Sequence, residues 1–252
     1  MRISVSETCE LLGARAGKHI AKALNEAIAE KGEARLALST GASQFETLSQ
    51  LVKEDVDWGR VTMFHLDEYV GLPITHAASF RKYLTERFLN QIAPLKAYHL
   101  VSGEGDVQAN IAALSKAIGE APVDVGVIGI GENGHIAFND PPADFERQDA
   151  YFVATLDERC RRQQVGEGWF ASLDEVPKHA ISMTVAQIMR CKKIITCVPH
   201  AVKAEAIRDT LTAPETTNRI PATMLRTHPD WTLYLDANSA ALTDPALLCR
   251  YA

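Results

Sequence analysis

The segment Val123-Asp124-Val125-Gly126-Val127-Ile128 runs directly into Gly129-Ile130-Gly131-Glu132-Asn133-Gly134-His135-Ile136-Ala137-Phe138-Asn139-Asp140. The first part is short, apolar and β-branched, so Val123–Ile130 reads as a buried central strand. The second part is a glycine turn that presents one histidine with an amide and a carboxylate close by. Histidine has the unperturbed pKa nearest neutrality and suits proton transfer. Gly129, Gly131 and Gly134 let the backbone bend sharply and approach a ligand. The same residues satisfy the dinucleotide fingerprint G-x-G-x-x-G, which needs a helix starting at the loop. Pro141 and Pro142 follow almost at once and stop such a helix. A tight turn carrying a surface histidine is the plainer alternative.

Outward from this strand, helical and strand-like segments alternate. Leu12, Ala16, Ile20, Ala23 and Ala27 give residues 6–30 a helical period, with Ser6 as the expected N-cap. Further strands are expected at 35–39, 61–66, 180–184, 193–198 and 231–235. Helices are expected near 43–54, 80–92 and 201–211. This order predicts an α/β fold, with a mostly parallel sheet covered by helices on both faces. No repeat, low-complexity stretch or linker interrupts residues 1–252, which predicts one domain.

Ligands of such sheets bind at the carboxyl ends of the strands. Four groups should therefore share one rim: Ser39-Thr40-Gly41-Ala42-Ser43, Asp67-Glu68-Tyr69, His135, and Lys203 after Pro199-His200. A glycine-bearing turn into a helix offers free N–H groups and a positive dipole end to an anion. Ser39, Thr40 and Ser43 add hydroxyls, although plain helix capping explains the same residues. No Gly-Lys-Ser/Thr makes this a Walker loop. Lys203, in the first turn of a helix, opposes the dipole unless an anion lies nearby; the alternative is a solvated surface lysine. Asp67 and Glu68 are either loop acids or a general base whose pKa is moved by its neighbour.

Composition narrows the function classes. With 26 basic against 32 acidic side chains, the net charge is −6, which argues against a nucleic-acid partner. No apolar run reaches the ~20 residues of a membrane helix, so no membrane partner is expected. Met1–Ser6 lacks the apolar stretch of a secretory signal. Cys9, Cys160, Cys191, Cys197 and Cys249 form no Cys-x-x-Cys pair, so free thiols in a reducing cytoplasm are expected, without a zinc site.

Two motifs carry a family resemblance. His65-Leu66-Asp67-Glu68-Tyr69-Val70-Gly71-Leu72 resembles the aspartate-glutamate-tyrosine segment of glucosamine-6-phosphate deaminases, and Gly131–Asn139 resembles their histidine loop. The Ser39–Ser43 turn, Val176-Pro177-Lys178, Ser182-Met183-Thr184-Val185 and Lys203 fall in the family's order, so the resemblance spans nearly the whole chain. It implies a Rossmann-like α/β sandwich without metal or redox cofactor, acting on a small-molecule sugar phosphate. The implied reaction converts glucosamine 6-phosphate and water to fructose 6-phosphate and ammonia. His135 would assist ring opening, Asp67 would move a proton between C2 and C1, and Asn133 and Asp140 would orient His135. The phosphate would meet the Ser39–Ser43 turn and Lys203.

The chain also departs from the family. Asp140 replaces the usual glutamate and is one methylene shorter. Gly168 stands before Trp169-Phe170 where many members carry a phosphate-contacting arginine, so Arg161 or Arg162 is expected to substitute. The serine and arginine cluster of allosterically activated members is missing from 141–148. The related 6-phosphogluconolactonases usually pair Asp-Glu-Arg with a Gly-His-x-Ala-Ser loop. Tyr69 and Phe138-Asn139 depart from that pattern. A catalytically silent sugar-phosphate sensor is a further alternative, against which the presence of Asp67 and His135 argues. Glucosamine and galactosamine 6-phosphate are not separable from sequence, and both a monomer and a homo-oligomer remain open.

Overall fold

In a computed structural model describing residues 1–252, the chain forms β1 (Arg2–Ser6), α1 (Cys9–Lys31), β2 (Ala34–Leu38), α2 (Phe45–Leu51), β3 (Val61–His65), β4 (Asp67–Tyr69), α3 (Phe80–Arg87), β5 (Ala97–His99), α4 (Val107–Gly119), β6 (Val125–Ile128), β7 (Tyr151–Thr155), α5 (Glu158–Gly166), β8 (His179–Met183), α6 (Val185–Met189), β9 (Lys193–Val198), α7 (Ala204–Thr212), β10 (Trp231–Asp236) and α8 (Pro245–Arg250). The order β1-β10-β9-β6-β2-β3-β5 makes a seven-stranded sheet with β6 at its centre. Every pairing in it is parallel. All four residues of β6 are buried, as a strand covered on both faces requires.

Alternation along the strands feeds two apolar layers. Leu36 and Leu38 of β2 and Val125 and Val127 of β6 join Leu12, Ile20 and Leu24 of α1 and Leu48 and Leu51 of α2 on one face. Ala37 and Ile128 face the other way, with Leu114 and Ile118 of α4 and Ile207 and Leu211 of α7. Close packing of α1 on α2 depends on Gly13, where a Cβ would come within 2.5 Å of Glu46. The core is therefore two-sided, as the strand and helix order predicts.

Several local expectations are corrected. Ser6 ends β1, and Thr8 caps α1 by accepting from the Leu11 N–H. Helix α3 stops at Arg87 and gives way to a 3-10 turn at Leu89–Gln91. Residues 180–184 do not extend the parallel sheet. β8 instead lies between β4 and β7 in a small antiparallel sheet. A third apolar cluster, including Tyr69, Phe80, Phe138, Cys160 and Phe170, fixes that sheet to α3, α5 and the histidine loop. This attachment brings Asp67, the first residue of β4, over the end of the large sheet.

Candidate active site

One cavity gathers most of the rim residues. It is lined by Ser39–Gln44, Leu66, Asp67, Phe80, Gly129–Gly131, His135, Ala137, Phe138, Gln163, Gln164, Glu167 and Lys203. The turn after β2, the turn after β6 and the segment after β9 supply the floor, since parallel strands end together there. β4 and α5 supply the opposite wall.

Asp67 and Glu68 are adjacent but built for different tasks. Glu68 is fully buried and accepts from Ser79 Oγ at 2.7 Å, the Arg81 N–H at 2.9 Å and the Tyr69 N–H at 3.0 Å. Arg81 Nε lies 3.4 Å away as its charge partner. Asp67 borders the cavity and is only 7% exposed. Burial first, and the neighbouring Glu68 second, push the Asp67 carboxyl up to about 8. A carboxyl that holds a proton near neutrality can both give and take one.

The histidine loop is held from within. No helix follows it before α5, so the dinucleotide fingerprint lacks the element that would bind pyrophosphate. The Gly131 N–H donates to the His135 carbonyl at 2.9 Å. A Cβ at position 131 would sit 2.2 Å from the His135 ring, so only glycine admits the imidazole there. His135 Nδ1 lies 3.1 Å from Asp140 Oδ1. That contact is close but poorly aligned, and Nδ1 counts among the buried polar atoms without a well-formed hydrogen bond. Asn133 donates to Asp140 Oδ1 at 3.2 Å and accepts from the His135 N–H at 3.0 Å. Burial works to raise the Asp140 carboxyl; its contacts with His135, the Asp157 N–H and Asn133 outweigh burial and hold it below the ordinary value. Asn133 and Asp140 stand behind His135 and do not line the cavity.

Cys160 completes a set of three donors with His135 and Asp140, all within 4.8 Å of one another. Three donors are too few for a closed structural zinc site, though not for an open one. Burial also pushes the Cys160 thiol far up, away from the thiolate that metals prefer.

The opposite end of the cavity suits an anion. Lys203 is 4% exposed, which corrects the solvated-lysine alternative. Ion pairs take up Lys22, Lys31, Lys82, Lys96, Lys192 and Lys193; Lys203 is in none. Burial pushes its ammonium down, and the carboxylates of Glu167 and Glu132 act to raise it. Ser39 Oγ and Gln44 Oε1 line the same cavity and are buried without a hydrogen-bond partner. A bound ligand or an ordered water would give both atoms a partner. Gly41 adopts φ +98° to turn the chain into the 3-10 turn Ala42–Gln44 ahead of α2. With only seven residues in α2, hydroxyls, N–H groups and Lys203 carry more of the attraction than a helix dipole.

Arg161 and Arg162, the expected phosphate partners, are not in the cavity. Arg161 donates to the Leu173 carbonyl. Arg162 pairs with Glu158 one turn earlier and is largely exposed. The (i, i+4) spacing of Glu158 and Arg162 turns the second arginine along the outer face of α5. Gln163 and Gln164 point inward instead. Gln44, Gln163, Gln164 and Glu167 were not among the sequence candidates. Their signal was position: Gln44 directly follows the anion turn, and the others lie beside Arg161 and Arg162, in and just after α5.

A parallel α/β sheet whose strand ends bring a buried carboxyl, a carboxylate-supported histidine and a buried lysine to one cavity is an arrangement suited to acid–base chemistry on a small anion. Residues 7–234 match the family described as glucosamine-6-phosphate isomerases/6-phosphogluconolactonase, and the chain belongs to that family. A glucosamine-6-phosphate deaminase of Lactobacillus delbrueckii subsp. bulgaricus is 37% identical over 246 residues, covering 96% of this chain and 99% of the relative. One from Streptococcus pneumoniae is 36% identical, covering 90% and 94%. A solved structure of a monomeric glucosamine-6-phosphate deaminase superposes with a TM-score of 0.88 at 30% identity, covering 96% of this chain and all of that one. A 6-phosphogluconolactonase structure from Neisseria gonorrhoeae, described as putative, superposes with a TM-score of 0.75 at 20% identity, covering 94% and 99%; that likeness is one of fold.

Proposed function

We propose that the protein is a glucosamine-6-phosphate deaminase, with residues 1–252 acting as one domain. The reaction takes glucosamine 6-phosphate and water to fructose 6-phosphate and ammonia. The observation that carries this reading is the shared cavity: Asp67 and His135 border the same space as the buried, unpaired Lys203. A phosphate carries close to two negative charges, and its desolvation needs converging donors and a cation. Lys203, Ser39 and the N–H groups of the 40–43 turn supply them. The distal sugar carbons then fall toward Asp67 and His135.

In this reading His135 protonates the ring oxygen as the pyranose opens, with Asp140 and Asn133 holding the imidazole. Asp67 removes the proton from C2 and returns it to C1, converting the aldose amine to a ketose imine. Water adds at C2, and ammonia leaves. A carboxyl held near 8 sits closer to the acidity of the carbon it serves than an ordinary aspartate. No metal or redox group is required by any of these steps.

Two assays on one preparation test the reading. Ammonia release from glucosamine 6-phosphate is expected, and accelerated hydrolysis of 6-phosphogluconolactone is not. Lactone hydrolysis without ammonia release would reverse the assignment. Galactosamine 6-phosphate, run beside the glucosamine epimer, reports how the cavity discriminates at C4.

A further inference from the structure

Asp157 is the N-cap of α5, and its hydrogen bonds exceed what a cap requires. Its Oδ1 accepts from the Cys160 N–H at 2.6 Å, the ordinary capping bond. Its Oδ2 accepts from Asn133 Nδ2 at 3.3 Å. Its own N–H donates to Asp140 Oδ2 at 3.1 Å. Asn133 uses the same amide nitrogen on Asp140 Oδ1, and its oxygen accepts from the His135 N–H. Two carboxylates therefore fix which way the Asn133 amide faces, because a flipped amide would set oxygen against oxygen. Asp140 Oδ1 is also the atom beside His135 Nδ1.

We propose that Asp157 is a positioning residue for the His135–Asp140 pair. Its carboxylate holds Asn133 in place and thereby ties the start of the helix that covers the cavity to the orientation of the imidazole. The tie is reinforced on either side. Gln163 Oε1 accepts from the Glu132 N–H at 3.1 Å, and Arg159 donates to the Glu132 carbonyl at 3.2 Å. Gln163 and Gln164 of the same helix line the cavity, whereas Asp157 does not. A shift at the start of α5 is thus passed to His135 through two hydrogen-bonded side chains, without contact between Asp157 and the substrate.

The inference rests on the deaminase reading for its rate measurements and is independent of it for its spectroscopic one. Asp157→Ser keeps a good helix cap but has no second oxygen for Asn133. Asp157→Asn keeps the size and one capping oxygen but turns a donor toward a donor. Both variants are expected to unfold near the wild-type temperature. Their kcat for ammonia release should fall about 10- to 100-fold, the scale of a small misplacement of a reacting group, while KM changes little. The His135 ring nitrogen resonances, followed by NMR without substrate, should move in both. Wild-type kcat with unmoved His135 resonances in the two variants would overturn the proposal. So would a fall in activity matched by a fall in stability with the resonances unmoved, since that describes a cap alone. If the wild type itself releases no ammonia, the deaminase reading fails, and the resonances still decide whether Asp157 positions His135.

Discussion

The two ends of the cavity are finished to different degrees. At the acid–base end, the groups behind the reacting side chains have partners inside the protein, while His135 Nδ1 lies 3.1 Å from Asp140 Oδ1 without a well-formed hydrogen bond. Glu68 is held by Ser79, Arg81 and Tyr69, and Asn133 and Asp140 hold each other. At the anion end, Ser39 Oγ and Gln44 Oε1 are buried without such partners, and Lys203, itself buried, is in no ion pair. On the proposed reading, the first end is assembled before substrate arrives, and the second is completed by the phosphate it binds. Preassembly serves rate, because donors already in place need no reorganisation in the transition state. An unpaired buried cation serves recognition, because only an anion relieves it.

The largest effect that can test this division is at Asp67. Asp67→Asn keeps the shape of the site and removes the proton carrier. Turnover should fall about 10²–10⁴-fold with little change in KM. A folded Asp67→Asn protein that still makes ammonia at near wild-type rate would remove Asp67 from that role. It would also leave the acid–base end without its base.

Lys203→Ala tests the other end, with the opposite signature. A charge-assisted hydrogen bond contributes ~1.5–3 kcal/mol, so KM should rise about 10- to 100-fold while kcat falls less. Inorganic phosphate should inhibit the wild type and raise its Tm, and should do neither in the variant. Without phosphate the variant should be at least as stable as the wild type, because the lysine removed is a buried charge without a partner. Equal phosphate inhibition of the two proteins would place the anion elsewhere.

A smaller effect is expected at Asp140. Asp140→Asn keeps the hydrogen bond to the Asp157 N–H but loses the charge beside His135, and turnover should drop about tenfold or more with a displaced pH profile. Asp140→Glu, which restores the usual residue of the family, should be the milder change. If both variants and the wild type share one rate and one pH profile, Asp140 is a loop residue and takes no part in the acid–base end.

How much of this is legible in the sequence follows from the range of the signals. Val123–Ile130, interrupted by Asp124, and Lys193–Val198 declare themselves by short, largely apolar runs, and the rim follows because parallel strands end together. Helix α4, absent from the sequence expectations, has a local signal all the same: Val107, Ile111, Leu114 and Ile118 keep a helical spacing after the N-cap Asp106. The antiparallel sheet has none. β4 is three residues long, and its pairing of Asp67 with Ser182 spans more than a hundred residues of chain. That same pairing takes Asp67 out of water, so its raised pKa is not readable from Asp-Glu alone. The outward turn of Arg162 and the burial of Lys203 depend on how α5 and the segment after β9 settle against the large sheet. Local spacing does not encode either.

Burial of Asp67 should also leave a mark on folding stability, with a sign opposite to that of an ordinary ion-paired carboxylate. In the unfolded chain the group loses its proton near pH 4; in the folded protein burial and Glu68 hold it up to about 8. Between those values the folded state binds the extra proton, so stability declines as pH rises through the window and levels off above about 8. Asp67→Asn abolishes this dependence, because the amide does not titrate. Its Tm should therefore match the wild type near pH 4 and exceed it by a growing margin toward pH 8. The margin should reach on the order of 10 °C by pH 8, since each pH unit of the window contributes about 1.4 kcal/mol and each kcal/mol moves Tm by about 2–4 °C in a chain of this size. Asp140→Asn should behave in the reverse sense. Its carboxyl is held low in the folded state, so the wild type's advantage is present above about pH 4 and is lost as pH falls through the lowered value. Thermal melts of the three proteins from pH 2 to 9 decide the matter. A Tm difference between Asp67→Asn and the wild type that stays flat across that range would show that Asp67 carries its charge at neutral pH, and the acid–base end would then lack the proton-holding carboxyl proposed for it.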